Sequence, residues 1–180
     1  GEDNVLAVRV DHSQDADSRW YTGSGIYRDV WLVATEPVHL EQWGVYAYPT
    51  VEGNKGTLHV QVAVANASAS QAAVSVLTEL KDASGTTVAK ETAKASVPAG
   101  SRNEVQLALD VKRPKLWSLA DPNQYTLETT VLQGGKTIDR STVKTGFRTF
   151  TFDPDKGFAL NGEWMKVKGV CLHHDAGVLG

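Results

Sequence analysis

The feature that most constrains this chain is a period of two. Leu58, Val60, Val62 and Val64 alternate with His59, Gln61, Ala63 and Ala65, and Val105, Leu107, Leu109 and Val111 alternate with Glu104, Gln106, Ala108 and Asp110. Leu6, Val8 and Val10 repeat the spacing, as do Tyr125, Leu127, Thr129 and Val131. Successive side chains on a strand point to opposite faces, so each run carries one apolar and one mixed face. Two sheets packed face to face bury all of these apolar faces together. The expected class is all-β, and no amphipathic helix longer than three turns competes with it.

Turn chemistry falls between the runs. Asp82-Ala83-Ser84-Gly85 separates 74–81 from 86–97, and Pro98-Ala99-Gly100 closes the latter. Gln133-Gly134-Gly135-Lys136 predicts a tight hairpin, because paired glycines tolerate the positive φ such turns require. The inward-facing set changes phase between Ile138 and Val143, which predicts a bulge or bend. The Ala- and Ser-rich stretch 67–73 is expected to be an exposed connection, since β-branched runs flank it.

Three zones emerge. Residues 1–36 hold about two strands, too few to bury their own apolar face. Residues 37–148, opened by Pro37, hold about seven strands with turns at short intervals, the pattern of an immunoglobulin-like sandwich. Residues 149–180 contain Gly157, Asn161-Gly162 and an apolar stretch 165–172 that ends in His173-His174-Asp175. Trp31, Trp43 and Trp164 fall within expected strands and read as core or interface residues.

The 180 residues are 41% hydrophobic, with 18 basic against 21 acidic side chains and a net charge of −3. That is ample for a buried core and excludes wholesale disorder. The slight negative charge argues against nucleic acid or an anionic membrane as the main partner. Cys171 is the single cysteine, so no internal disulfide forms, and no Cys/His spacing suggests zinc. In an apolar strand it is expected to be an inert, buried thiol. No run of 18 apolar residues and no basic-plus-apolar leader is present. The abrupt start at Gly1-Glu2-Asp3 and end at Val178-Leu179-Gly180 read as a piece of something longer. Asn66-Ala67-Ser68 matches a glycosylation acceptor, a tripeptide common by chance.

Three blocks carry a resemblance. The first is Arg19-Trp20-Tyr21-Thr22-Gly23-Ser24-Gly25-Ile26-Tyr27-Arg28-Asp29-Val30. The second is Pro114-Lys115-Leu116-Trp117-Ser118, followed by Asp121-Pro122 and Tyr125-Thr126-Leu127. The third is Gly146-Phe147-Arg148, then Phe158-Ala159-Leu160-Asn161-Gly162, then Lys168-Gly169-Val170 and His173. In this order and spacing they resemble glycoside hydrolase family 2, the β-galactosidase and β-glucuronidase family. The resemblance implies an immunoglobulin-like β-sandwich at 37–148. It also implies the last strands of a sugar-binding jelly roll at 1–36 and the start of a (β/α)8 barrel at 149–180.

The resemblance further implies a retaining β-glycosidase, of β-galactosidase type, acting on terminal β-linked sugars. Such hydrolysis uses two carboxyl groups about 5–5.5 Å apart, and the family places them deep in the barrel. None of the glutamates here, among them Glu36, Glu41, Glu79, Glu128 and Glu163, sits in the family's Asn-Glu context. No catalytic residue is therefore assigned, and the segment reads as a scaffold. In the full-length parent, the resemblance implies substrate contacts from Asp17, with Asp15 as the alternative register, and from His173. The family often reads Asn-Arg where this chain has Cys171-Leu172. Trp20 and Tyr21 are candidates for stacking on a pyranose ring. A metal cluster at His173-His174-Asp175 is the competing reading, weakened because adjacent strand residues point to opposite faces.

No cofactor is assigned to this segment, while a divalent cation in the parent stays open. The expected partners are a β-linked oligosaccharide or glycoside, the remaining domains of the parent chain and a homo-oligomer. Compartment stays open. A stand-alone carbohydrate-binding module is the alternative, and the block from Gly146 to His173 argues against it, because such a module has no use for a barrel entry.

Overall fold

A computed structural model describes residues 5–11, 13, 25–26 and 28–171. Two compact units are distinguished, Ala34–Val167 and a second made of Gly1–Val33 with Lys168–Gly180. The larger unit holds ten strands. They are β1 (Val38–Glu52), β2 (Lys55–Asn66), β3 (Ala72–Lys81), β4 (Thr87–Val97), β5 (Ser101–Lys112), β6 (Tyr125–Gln133), β7 (Lys136–Thr145), β8 (Phe150–Asp153), β9 (Gly157–Leu160) and β10 (Glu163–Met165). No helix occurs among the described residues.

The first seven strands form two antiparallel sheets, ordered β1-β2-β5 and β4-β3-β6-β7. The period-two runs supply the facing layers. Leu58, Val60, Val62 and Val64 are at most 1% exposed, and Val105, Leu107, Leu109 and Val111 lie beside them in β5. Val74, Val76 and Leu80 of β3 and Tyr125, Leu127 and Val131 of β6 cover them from the other sheet. This is the all-β, immunoglobulin-like sandwich that the alternation predicted.

The turns form as their residues dictate. Gly134 and Gly135 take φ of 57° and 81°, the left-handed pair that a two-residue hairpin needs. The Asp82 carboxylate accepts the Ser84 and Thr86 amides and the Ser84 hydroxyl, tying that turn to itself. Val131 pairs with Asp139 and Leu132 with Thr137, so Ile138 is the extra residue of a bulge at the near edge of the predicted interval.

Asn66 is 1% exposed. Its amide donates to the Ser70 and Val97 carbonyls, and its Oδ1 accepts the Ser68 amide and hydroxyl. In the folded chain this side chain stitches two sheets and is not presented for glycosylation.

One expectation fails in β1. Leu40 pairs with Val64 and Val45 with Val62, so residues 41–44 stand opposite Ala63 alone. Trp43, expected inside a strand as core or interface, is 92% exposed with φ 57° at this wide bulge. The extra residues reset the alternation, and a bulge of this kind re-aims the side chains within it. At the same corner, the Leu40 amide donates to Asp139 Oδ2 at 2.8 Å, so the β1 and β7 irregularities meet.

The core contains one unsatisfied polar atom among the described residues. Thr78 and Thr129 face each other across β3 and β6, both fully buried. Thr78 Oγ1 donates to the Glu91 carbonyl at 3.4 Å, whereas Thr129 Oγ1 has no partner. An unpaired buried hydroxyl costs about 1–3 kcal/mol. Thr129→Val is therefore expected to stabilise the sandwich by about 1 kcal/mol, read as a higher denaturant midpoint at unchanged slope. A lower midpoint would show that the methyl overpacks the site.

In the smaller unit the described residues carry no strand, although about two were expected within 1–36, one of them around Leu6–Val8–Val10. Val5, Leu6, Trp31, Leu32 and Val170 are exposed. Alternation specifies a face, but a strand exists only against a paired neighbour. The described part of the apolar stretch, 165–171, likewise departs from expectation: strand structure stops at Met165, and Cys171 is exposed rather than buried.

Candidate functional site

The second block and residues 146–162 of the third converge on one place, the exit of the chain from the sandwich into the β8–β10 sheet. Their centre is Phe147, which is fully buried. Its ring meets Tyr125 edge-on, with centroids 5.2 Å apart and planes at 89°. The Tyr125 hydroxyl accepts the Lys115 amide at 2.9 Å, satisfying the polar tip of a ring whose body is in the core. Gly56 lies against the same ring: a Cβ there would come within 2.7 Å of Phe147 Cδ1 and 2.8 Å of Pro114 Cγ. Glycine at 56 is thus a requirement of space.

The loop 113–124 then folds over this plug. Leu116 bridges to Phe147, and the Trp117 amide donates to the Phe147 carbonyl at 2.7 Å. Asn123 Nδ2 donates to the Leu116 carbonyl, and Ser118 and Asp121 close the loop tip on each other. Arg148 lies 5.3 Å from the centroid of the Trp117 ring, a cation–π distance. Arg148, Lys144, Gln124 and Trp117 line a shallow depression at this corner.

Beyond the joint, β8, β9 and β10 make a small sheet in the order β10-β9-β8. Asn161 and Gly162, at φ 51° and 85°, close the β9–β10 hairpin, an Asn-Gly pair suited to a two-residue turn. Trp164, expected as core or interface, is 45% exposed, and Lys156 Nζ lies 5.6 Å from its ring centroid.

Several of the described carboxylates are ion-paired. Lys81 Nζ lies 2.6 Å from Glu128, Lys55 2.8 Å from Asp110, Lys90 3.1 Å from Glu79 and Arg102 3.1 Å from Glu41. Glu79 and Glu128 stand directly opposite each other on β3 and β6, and their two lysines offset that repulsion. The Lys81 hydrogen bond holds Glu128 below its ordinary pKa, and Lys55 with Thr57 does the same for Asp110. The Ser84 hydroxyl lowers Asp82, and the Ser13 hydroxyl lowers Asp11. A glycosidic general acid needs the opposite shift. Among the described residues, no group of three His, Cys, Asp or Glu side chains converges as metal ligands would.

The substrate contacts expected from the sequence, Asp17, His173 and Trp20, lie outside the described residues, as do Asp15, Tyr21, His174 and Asp175. What the structure brings together is the set of motif residues at the joint. Sequence reading missed the second task of Asn161, whose side chain reaches a partner 44 residues away. No local pattern signals that contact.

The model of the family described as Glycosyl hydrolases family 2 matches residues 38–148, more than half of the chain. The chain belongs to glycosyl hydrolase family 2. It is 43% identical to the β-galactosidase BoGH2A of Bacteroides ovatus, over 99% of this chain and 21% of that protein. A solved family 2 member from Bacteroides cellulosilyticus superposes with a TM-score of 0.84 at 38% identity, over 95% of this chain and 24% of that one. The solved β-glucuronidase of Bacteroides uniformis also gives 0.84, at 30% identity, over 92% of this chain and 21% of that one. This family 2 chain therefore spans about a fifth to a quarter of the length of these relatives.

Proposed function

We propose that this chain is the central scaffold of a longer retaining β-glycosidase of β-galactosidase type, which hydrolyses terminal β-linked sugars. The carrying observation is the 43% identity to a β-galactosidase that runs through 99% of the chain, against only 21% of that relative. The geometry supports a scaffold role. Described motif residues serve a joint, and the carboxylates whose pKa values move go down, away from acid–base use.

In this reading the sandwich at 37–148 joins jelly-roll strands at 1–36 to a barrel that begins within 149–180. Asp17, Trp20 and His173 are the residues through which this segment reaches substrate in the full-length enzyme. The two catalytic glutamates lie downstream, at barrel strand ends. Any divalent cation belongs to the whole enzyme rather than to this segment.

Purified alone, the chain is expected to hydrolyse no aryl β-glycoside, whereas the full-length enzyme releases sugar from an aryl β-galactoside with retained anomeric configuration. Turnover that co-purifies with the isolated chain overturns the scaffold assignment. A full-length protein with no glycosidase activity overturns the enzyme reading itself.

A further inference from the structure

The sandwich and the β8–β10 sheet share no strand. Their mutual orientation must be set by other bonds, and several of these run through a single side chain. Asn161 sits at φ 51° in the β9–β10 turn. The turn asks only for that backbone conformation, which glycine would adopt without steric cost. The amide does something further. Its Oδ1 accepts the Thr149 amide at 3.0 Å, and its Nδ2 donates to the Trp117 carbonyl at 2.9 Å. The Asn161 backbone amide donates to the Thr149 carbonyl at 2.9 Å, and the Trp117 amide donates to the Phe147 carbonyl at 2.7 Å.

These bonds close a ring. Trp117 in the loop between β5 and β6 is tied to Phe147, the chain runs two residues on to Thr149, Thr149 is tied twice to Asn161, and Asn161 returns to Trp117. Phe147 is fixed in the sandwich core, so the ring transmits that fixed position to the β9–β10 turn. Ala159 and Leu160 of β9 are buried beside this joint. The Asn161–Trp117 bond adds a directional point of attachment beyond the Phe147–Thr149 connection, and so restrains the swing of the small sheet.

We propose that Asn161 is a positioning residue whose side-chain amide locks the orientation of the β8–β10 sheet, and of the chain leaving β10, against the sandwich. The lock stands on this chain's own geometry; its bearing on catalysis rests on the glycosidase reading, in which that exit leads into the barrel.

Asn161→Gly separates turn from lock, because glycine keeps the positive φ and removes only the amide. The test is residual dipolar couplings and amide exchange on the full 180-residue chain. In the unsubstituted chain, couplings from β1–β7 and β8–β10 fit one alignment tensor. In Asn161→Gly, the small sheet requires its own tensor or loses exchange protection, while the sandwich keeps its couplings and denaturant midpoint. Asn161→Asp keeps the acceptor for Thr149 but sets an anion against the Trp117 carbonyl, and it is expected to release the sheet likewise. A single shared tensor in Asn161→Gly overturns the proposal. Loss of the sandwich fold in that variant also overturns it, since Asn161 would then be a general stability residue. No readout here uses activity, so failure of the lock and failure of the glycosidase reading are separate results.

Discussion

Phe147→Ala is expected to lower the stability of the 34–167 unit by about 3–5 kcal/mol, the range for emptying a fully buried phenylalanine site. The ring fills the end of the sandwich between Tyr125, Pro114 and Gly56, so nothing small can replace it without leaving a void. Gly56→Ala is expected to destabilise by about 1–3 kcal/mol for the opposite reason, since its methyl would press on that same ring. The two changes should compensate. With Phe147 gone, two of the three nearest atoms to the added methyl are removed, and the Pro114 contact at 2.8 Å remains. The double variant is therefore expected to be more stable than the sum of the singles by at least about 1 kcal/mol. Chemical denaturation of the four proteins measures this. Additivity would mean that Gly56 and Phe147 do not share space.

Gly44→Ala is the second large effect, with an expected loss of about 1–3 kcal/mol. A Cβ at 44 would lie 2.8 Å from the Glu41 carbonyl oxygen, 2.9 Å from Glu41 Cβ and 3.0 Å from the Ala63 carbonyl oxygen. Two of these three are backbone atoms, one on the neighbouring strand, and neither can turn aside as a flexible side chain would. The bulge must reshape or β1 must lift locally from β2. Amide exchange should accordingly quicken around 38–45 and remain slow in β2, β3, β5 and β6. An unchanged midpoint and unchanged exchange would show that the wide bulge absorbs the methyl.

The sequence made the sandwich legible because its inner strands obey a strict alternation. Leu58 to Val64 and Val105 to Val111 announce both their faces and their class, and the paired glycines at 134–135 announce the hairpin. Edge irregularity was less legible. Trp43 looks like any strand tryptophan until residues 41–44 are seen to oppose one partner, and the only local sign is Gly44 beside it. The stretch around Leu6 failed for a different reason. It carries strand-like residues, but the decision to pair depends on an edge elsewhere in the protein. The candidate site divides the same way. Phe147, Tyr125 and Trp117 stand out as motif residues, and the Asn161-Gly162 turn is readable from two letters. That Asn161 also grips Trp117 depends on a fold that brings distant segments within 2.9 Å.

The corner where Leu40 meets Asp139 has a consequence for how the molecule behaves in a crowd. β1 is an outer strand of its sheet, and an outer strand with free amides invites a foreign strand to add on and start a fibril. Here the Leu40 amide is already occupied by a carboxylate from the opposite sheet. Just beyond it, the four residues 41–44 throw the strand out of step with any straight newcomer. A would-be intruder must evict a charge and then match an offset that no regular strand possesses. The same departures from ideal pairing that weaken the 38–44 end of β1 as a strand make that end a poor template for polymerisation.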